Sequence, residues 1–410
     1  MKAYVLGMPP PEAATDVPFL DLADPDFSVQ SAQARAARDQ SWYARTSYGL
    51  AVLRYAEVSK LMKDRRLRQG SWAWPAHSGV TTGLFASWWT DSLLNREGQD
   101  HHRIRRLLNP AFSVKLLTEL VPKFQALADE LIDEFHASGR CEFMSQFAEP
   151  YAARVIAIML GIDESEWKQI AEWSREAGLA LGVTYKKDYA RIESAMEGLY
   201  RYSDHLIADI KANPRDDFVT RLVLAEQDGD QLSSQELRDS MVLLIFGGMD
   251  TTRNQLGLAM ETFLRHPDQW ELLGERPELG KAAVEEVMRV NPTTTWVTRE
   301  ALEDFEFQGL EIAAGTTIHL MAESAGTDPR AIDGEPFDLT AKRPPHFGFG
   351  GGIHHCIGHF VARTDMAEAL ALLARRLKNP RLGGIPTSLP LSGNTGPIHL
   401  PVAFDTEGPA

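Results

Sequence analysis

A chain of 410 residues with 44% hydrophobic content can bury a large core, and a net charge of -15 argues against a general nucleic-acid binder. Its two cysteines, Cys141 and Cys356, exclude a disulfide framework and suit a reducing compartment. There is no secretory h-region and no apolar run of membrane-spanning length, so the sequence reads as soluble and cytoplasmic, with no membrane partner.

Taken in chain order, the first forty residues are proline-rich and polar, then amphipathic over Ser28–Gln40. Tyr48–Leu53 reads as a strand after a turn and Tyr55–Lys63 as a short helix. The stretch Gly70–Leu93 has loop character and carries Trp72, Trp74, Phe85, Trp88 and Trp89, which suit plain core as well as a wall or lid over a ligand pocket. In His101–Leu108, His101 and Arg105 are spaced i, i+4 and share one helical face. Two donors there can clamp a carboxylate; the bland alternative is a solvated basic face.

Residues 115–214 alternate helical periodicity with short breaks. Pro150–Leu160 is apolar and ends at the C-cap signal Gly161, and Trp167–Gly178 and Asp188–Lys211 read as two further helices. The segment between them, Leu179–Lys187, reads as a mobile lid or an ordinary connection. Ser233 and Glu236 form a capping-box pattern that opens a long helix ending near His266–Pro267, roughly 48 Å at 1.5 Å per residue. Gly247 and Gly248 inside it cost about 1 kcal/mol each against alanine. Close approach of a flat ligand, or a local opening of the helix ladder, would offset that. Asp250 and Thr251 follow directly, an acid and a hydroxyl in an apolar stretch. The alternative for them is a Thr251 back-bond to a carbonyl and an Asp250 ion pair with arginine. Glu286 and Arg289 are i, i+3 on a helix ended by Pro292. Strand-like patterns occupy Arg299–Ala325, with a turn at Gln308–Gly309, and Leu389–Phe404.

The most specific stretch is His346–Gly358, a loop with five glycines that leads Cys356 to the start of a helix running to about Leu377. A helix start favours a thiolate, and a thiolate is a metal ligand or a nucleophile. A zinc site would crowd His354, His355 and Cys356, with Cys141 the only other cysteine. A phosphate cradle would need a Lys-Ser/Thr ending that is missing. A buried structural cysteine leaves the glycines and histidines unexplained. The spacing Phe-Gly-x-Gly-x-His-x-Cys-x-Gly, met in full by Phe349–Gly358, suits a heme loop with Cys356 bound axially to iron.

Together these motifs resemble the cytochrome P450 family, its soluble bacterial members in particular. The resemblance spans nearly the whole chain and rests on His101-x-x-x-Arg105, Gly247–Thr252, Glu286-x-x-Arg289 and Phe349–Gly358, in that order. It implies one domain over 1–410 with the cytochrome P450 fold, mainly α with a small β-rich lobe. The implied cofactor is heme b (iron protoporphyrin IX), with Cys356 as metal ligand. His101, Arg105, Arg299 and His354 would hold the propionates, and Gly247, Gly248, Phe349 and Gly358 would line the cofactor. The implied catalytic pair is Asp250 for proton delivery and Thr251 for hydrogen-bonding dioxygen, with Glu286–Arg289 supporting the fold behind the cofactor. The implied activity is O2-dependent monooxygenation, hydroxylation or epoxidation, fed by a ferredoxin and ferredoxin reductase. Oxidative coupling or ring formation is the alternative within the family, and a non-catalytic heme-binding recruitment module is the alternative outside it. No flavin or iron–sulfur motif supplies electrons internally, and Arg103, Arg106 and Arg363 suggest a basic docking patch. Where the family often reads Pro-Pro-Val, this chain reads Asn291-Pro292-Thr293-Thr294, with Thr295 next. That polar segment predicts a substrate with hydrogen-bonding groups, an aromatic or polyketide-like intermediate of secondary metabolism.

Overall fold

The computed structural model describes residues 17–406 apart from 25, 113, 164, 182–184, 228–229 and 390–392. The proline-rich start and the middle of the suggested lid fall outside the described residues. Elsewhere the architecture is mainly helical with a small β-rich lobe, as the sequence suggested.

The largest hydrophobic cluster lies among the helices, and two smaller ones line the faces of a five-stranded sheet. That sheet runs in the order Tyr43–Thr46, Gly49–Val52, Thr317–Met321, Trp296–Ala301, Leu67–Gln69. Among the strand pairs of this sheet in the described residues, that of Gly49–Val52 with Thr317–Met321 is parallel and the others antiparallel, and Phe19 adds an isolated parallel bridge to Arg45. Gly49 opens its strand at φ +137°, and a Cβ there would sit 2.1 Å from the Thr317 carbonyl oxygen, so glycine is what lets these strands meet.

The long helix spans Ser234–Arg265. Ser233 caps it reciprocally with Glu236: Glu236 N donates to Ser233 Oγ at 3.2 Å and Ser233 N to Glu236 Oε2 at 2.8 Å. Glu236 also pairs with Arg103, which ties the first turn of this helix to the helix Gly98–Leu108. The segment stays α-helical through Gly247 and Gly248, with no break to mark the local opening weighed as one of two explanations. The two glycines differ in what they meet. A Cβ at Gly248 would lie 2.4 Å from Ile156 Cδ1 on the helix Glu149–Leu160, so close packing of two helices explains it. A Cβ at Gly247 would meet nothing nearer than Leu243 Cδ1 at 4.0 Å. Leu243, Gly247 and Thr251 keep partial access at i, i+4 spacing, whereas Ile245, Phe246, Met249 and Thr252 are buried.

Several stretches depart from the sequence reading, among them Ala322–Gly326, a helix at the end of the strand-like Arg299–Ala325, and the strands Leu67–Gln69 and Arg140–Glu142. Leu84–Asp91 is a helix inside the stretch read as loop, and Phe85, Trp88 and Trp89 are buried in the main cluster. Trp88 Nε1 donates to the Asp239 carbonyl at 3.1 Å and Trp89 Nε1 to that of Ser71 at 2.7 Å. These aromatics are core rather than lid. The strand Tyr43–Thr46 precedes the one expected and forms a hairpin with it.

Glu286 and Arg289 form a buried node. Arg289 donates Nε to Glu286 Oε2 at 2.7 Å and a terminal nitrogen to Oε1 at 2.6 Å, with further donations to the carbonyls of Gly326 and Pro336 at 2.7 and 2.6 Å. Glu286 Oε1 also accepts from Arg343 at 3.2 Å and from Asp338 N at 3.1 Å. The pair therefore knits the helix Gly280–Val290 to the 326–343 segment that leads into the cysteine loop.

Candidate active site

The loop 346–358 is shaped by close contacts. Gly350 and Gly352 both sit at φ +66°, and a Cβ at Gly352 would lie 2.6 Å from the Met62 carbonyl oxygen. Cys356 N donates to the Phe349 carbonyl at 3.0 Å, closing the loop on itself. The helix His359–Arg376 starts three residues after the cysteine, with Gly358 as its cap residue. Gly358 N–H, Arg105 and Arg363 each favour the charged form of the Cys356 sulfur. Burial nevertheless outweighs them and pushes the thiol above its ordinary value, so the helix start alone does not make the thiolate. A bound metal cation would, because coordination supplies the charge that burial removes. Phe349 packs under Arg363, whose guanidinium carbon is 4.4 Å from the ring centre.

His101, Arg105, Arg299 and His354 form a cationic and donor-rich group beside this loop. His101 is 3% exposed, its ring centre is 4.6 Å from that of His354, and its Nε2 is buried with no hydrogen-bond partner. Burial, with His354 and Arg105 next, lowers its pKa to about 4. Arg299 is 4% exposed and donates to Gln69 Oε1 at 2.5 Å and to the carbonyls of Thr298 and Gly351 at 3.2 and 3.4 Å, with no carboxylate in ion-pair range among the described residues. Burial lowers its pKa to about 10, against the opposing pull of Glu97. Arg105 is half-buried and likewise lacks an acid partner among the described residues; burial lowers its pKa while Cys356 raises it.

His354 is engaged by an acid that the sequence reading did not single out: its Nε2 lies 2.9 Å from Glu97 Oε1. Glu97 also accepts from Gln69 N at 2.6 Å, and although burial opposes ionisation, His354 and Gln69 hold its carboxyl below the usual range. The available signal was positional, since Glu97 sits four residues before His101 at the helix start. Buried cations without acids and an orphaned imidazole nitrogen are what a ligand bearing carboxylates would satisfy. With a cysteine sulfur close to Arg105, the residues present fit a heme with its propionates.

On the long helix, Thr251 Oγ1 donates to the Gly247 carbonyl at 2.6 Å. Asp250 Oδ1 lies 3.7 Å from Arg253, and its Oδ2 accepts from Asn254 at 3.2 Å and Asn394 at 2.8 Å. The back-bond and ion pair weighed as alternatives are thus both present, and neither consumes the whole group: Thr251 keeps its oxygen lone pairs as acceptors. Two expectations change. Arg103 and Arg106 pair with Asp230, Arg103 also with Glu236, and Arg363 with Glu285, so these arginines are not a patch of free cations. Of the threonine run, Thr293 spends its hydroxyl on Asn394 and Thr395, and Thr295 is fully buried. Only Thr294 retains partial exposure, which narrows the polarity this segment offers a substrate.

Comparison with known proteins agrees with this arrangement. The family model described as Cytochrome P450 matches residues 269–379. Luteothin monooxygenase of Streptomyces thioluteus is 38% identical over 395 residues, which is 95% of this chain and 96% of that protein. The chain belongs to the cytochrome P450 family. This P450 is also 31% identical to mycinamicin IV hydroxylase/epoxidase of Micromonospora griseorubida, over 86% of the chain and 89% of that protein. The crystal structure of P450BioI with a hexadec-9Z-enoic acid-ligated acyl carrier protein superposes at a TM-score of 0.84, with 27% identity over 94% of this chain and 98% of that one. The family places the protein among P450 monooxygenases with heme b as cofactor. No helix among the described residues is long and apolar enough to cross a membrane.

Proposed function

We propose that this P450 hydroxylates or epoxidises a small organic intermediate of secondary metabolism, of polyketide-like or aromatic type, using O2 and electrons from a ferredoxin and its reductase in the cytoplasm. The chain acts as one domain over 1–410. The observation that carries the site assignment is the group of His101, Arg105 and Arg299, buried or half-buried and with no acid in ion-pair range among the described residues, beside the Cys356 loop. In this reading Cys356 would ligate the heme iron, with Gly358 N–H favouring its charged sulfur, and His101, Arg105, Arg299 and His354 would hold the propionates. Phe349 shields the sulfur side, and Gly247 leaves room on the other wall, with Gly248 seating the helix that forms it.

Bound heme would supply reductive O2 activation, with one oxygen atom entering a C–H or C=C bond and the other leaving as water after two electrons and two protons. The chain's own residues handle the protons. Thr251 has its hydroxyl proton directed at the Gly247 carbonyl, so its lone pairs face outward as an acceptor for a proton donor. Asp250 has Oδ2 tied by two amides and Oδ1 on the Arg253 side, where a proton can be held and passed on. The names of the relatives, a luteothin monooxygenase and a mycinamicin hydroxylase/epoxidase, support a natural-product substrate.

The test has two parts. Heme-loaded protein, reduced and exposed to CO, should give the thiolate-type Soret band, and Cys356→Ser should lose it while keeping its far-UV CD. Turnover with a surrogate ferredoxin and reductase should then oxidise members of a polyketide and aromatic library, with products read by mass. A protein that shifts its spectrum and turns over only with plain fatty acids or terpenes refutes the substrate class; absence of the Soret band refutes the axial assignment.

A further inference from the structure

Asp250 is joined to a part of the chain 144 residues away. Asn394 Nδ2 donates to its Oδ2 at 2.8 Å, and Asn394 Oδ1 accepts from Thr293 Oγ1 at 2.8 Å. The same Thr293 hydroxyl lies 2.7 Å from the Thr395 carbonyl, Thr395 N donates to the Thr293 carbonyl at 2.9 Å, and Thr293 N donates to Gln255 Oε1 at 2.8 Å. A carboxylate only accepts, so Asp250 fixes which end of the Asn394 amide faces it, and the oxygen is left for the hydroxyl. The loop lies hard against the long helix. A Cβ at Gly396 would be 2.6 Å from Asn254 Cβ, and one at Gly257 would be 2.9 Å from Pro397 Cδ.

This chain of bonds cannot conduct protons, because a carboxamide donates a hydrogen bond without releasing its proton. It can only hold the acid. Protons must reach Asp250 on its other side, where Arg253 lies 3.7 Å from Oδ1. Arg253 also lies 3.7 Å from Glu149, which pairs with Arg175 at 2.7 Å. Among the described residues those are the charged groups linked to Asp250 by ion pairs, and the segments 293–295 and 393–397 bring only amides, hydroxyls and apolar groups.

We propose that Asn394 is a positioning residue for Asp250: it ties Oδ2 to the Thr293–Thr395 pairing, leaves Oδ1 as the oxygen that serves proton delivery, and makes any shift of the 393–397 loop a shift of the acid. The inference rests on the role given to Asp250 above and adds a residue outside that pair.

The test uses holoenzyme with NADH, a surrogate ferredoxin and reductase, and O2, without organic substrate. Two-electron reduction takes up two protons and gives H2O2, and four-electron reduction takes up four and gives two waters, so peroxide formed per O2 consumed reports proton supply. Asn394→Leu removes the hydrogen bonds to Asp250 and from Thr293 at similar size and should raise the peroxide fraction about threefold or more, a modest share of the loss expected for a removed proton donor. Asn394→Asp sets a second carboxyl against Asp250; the pair then shares a proton, and the pH dependence of the peroxide fraction should move upward by about one unit. Amide exchange over 393–397 in the holoprotein should rise about tenfold in Asn394→Leu. Asp250→Asn separates the two ideas. If it raises peroxide while both Asn394 variants keep the wild-type fraction and pH profile, the positioning role is overturned, even where loop exchange has risen, since that marks a structural tie alone. If Asp250→Asn itself leaves the fraction unchanged, the role of the acid falls first. Should Asn394→Leu fail to take up heme, the pH profile of Asn394→Asp decides.

Discussion

Replacing Glu286 by glutamine should destabilise the protein far more than loss of one surface ion pair would. Glu286 is 3% exposed and Arg289 2%, and Glu286 is the carboxylate that meets Arg289 along two bonds of 2.7 and 2.6 Å. Its Oε1 also receives Arg343, whose side chain is 10% exposed. Glutamine keeps the shape and removes the charge, so two guanidinium groups remain in a low-dielectric node, and the new NH2 must face a donor. Breaking a buried pair from one side costs about 3–5 kcal/mol, and two stranded cations place this variant at about 4–5. A second substitution, Arg343→Met, removes one of those cations and should recover about 1–2 kcal/mol of that loss, a coupling that additivity forbids for independent sites. Urea unfolding of the single and double variants, followed by far-UV CD at fixed protein and heme concentration, measures both numbers. A loss below about 1 kcal/mol for Glu286→Gln would mean that the node is screened like an exposed pair. Equally, a double variant weaker than the single would refute the shared-carboxylate reasoning.

Arg299→Met should have opposite effects on the two forms. The apoprotein should gain stability, because a buried cation without an acid is removed, while heme should dissociate faster; stopped-flow heme transfer to apomyoglobin and apoprotein urea curves check the pair of outcomes. Thr251→Ala should uncouple O2 consumption from product and raise peroxide yield at least about tenfold, with unfolding stability changed by no more than about 1 kcal/mol, since only the bond to the Gly247 carbonyl is lost. Apoprotein stability should fall as pH drops from 6.5 towards 4. Burial lowers the folded pKa of His101 and of His319 to about 4, so between those values the unfolded chain binds more protons, and each imidazole contributes up to about 3 kcal/mol of loss. Heme should reduce the His101 share, because a propionate beside it favours the charged ring; equal acid sensitivity with and without heme, measured by chemical denaturation across pH, would contradict this.

Much of the helical frame was legible because its signals are local. The capping box at Ser233, the left-handed Gly161 at φ 63° and the span Trp167–Gly178 are written in neighbouring residues, and the structure keeps them. The helix Leu84–Asp91 escaped because Gly83 precedes it with no side-chain cap and because its tryptophans obscure any polar face. Tyr43–Thr46 escaped because the strand is held by its pairing with Gly49–Val52, itself paired with Thr317–Met321, rather than by its own alternation. In the site, His101, Arg105 and Cys356 stood out by spacing. Glu97, Gln69 and Asn394 did not, since each matters through a partner 28 to 257 residues away. The paired glycines gave one signal and two answers, packing at Gly248 and open space at Gly247.

Glu236 closes the cap of the long helix and grips Arg103 on the helix that carries His101 and Arg105. Glu236, with Asp230, thus helps to align two walls through Arg103, while Thr251 on the long helix lies about 22 Å along the axis from it. Ionic strength should reach cofactor retention through that distant hinge pin. Salt, which leaves buried charges largely alone, would slacken both walls together by weakening the Arg103 ion pairs at the rim.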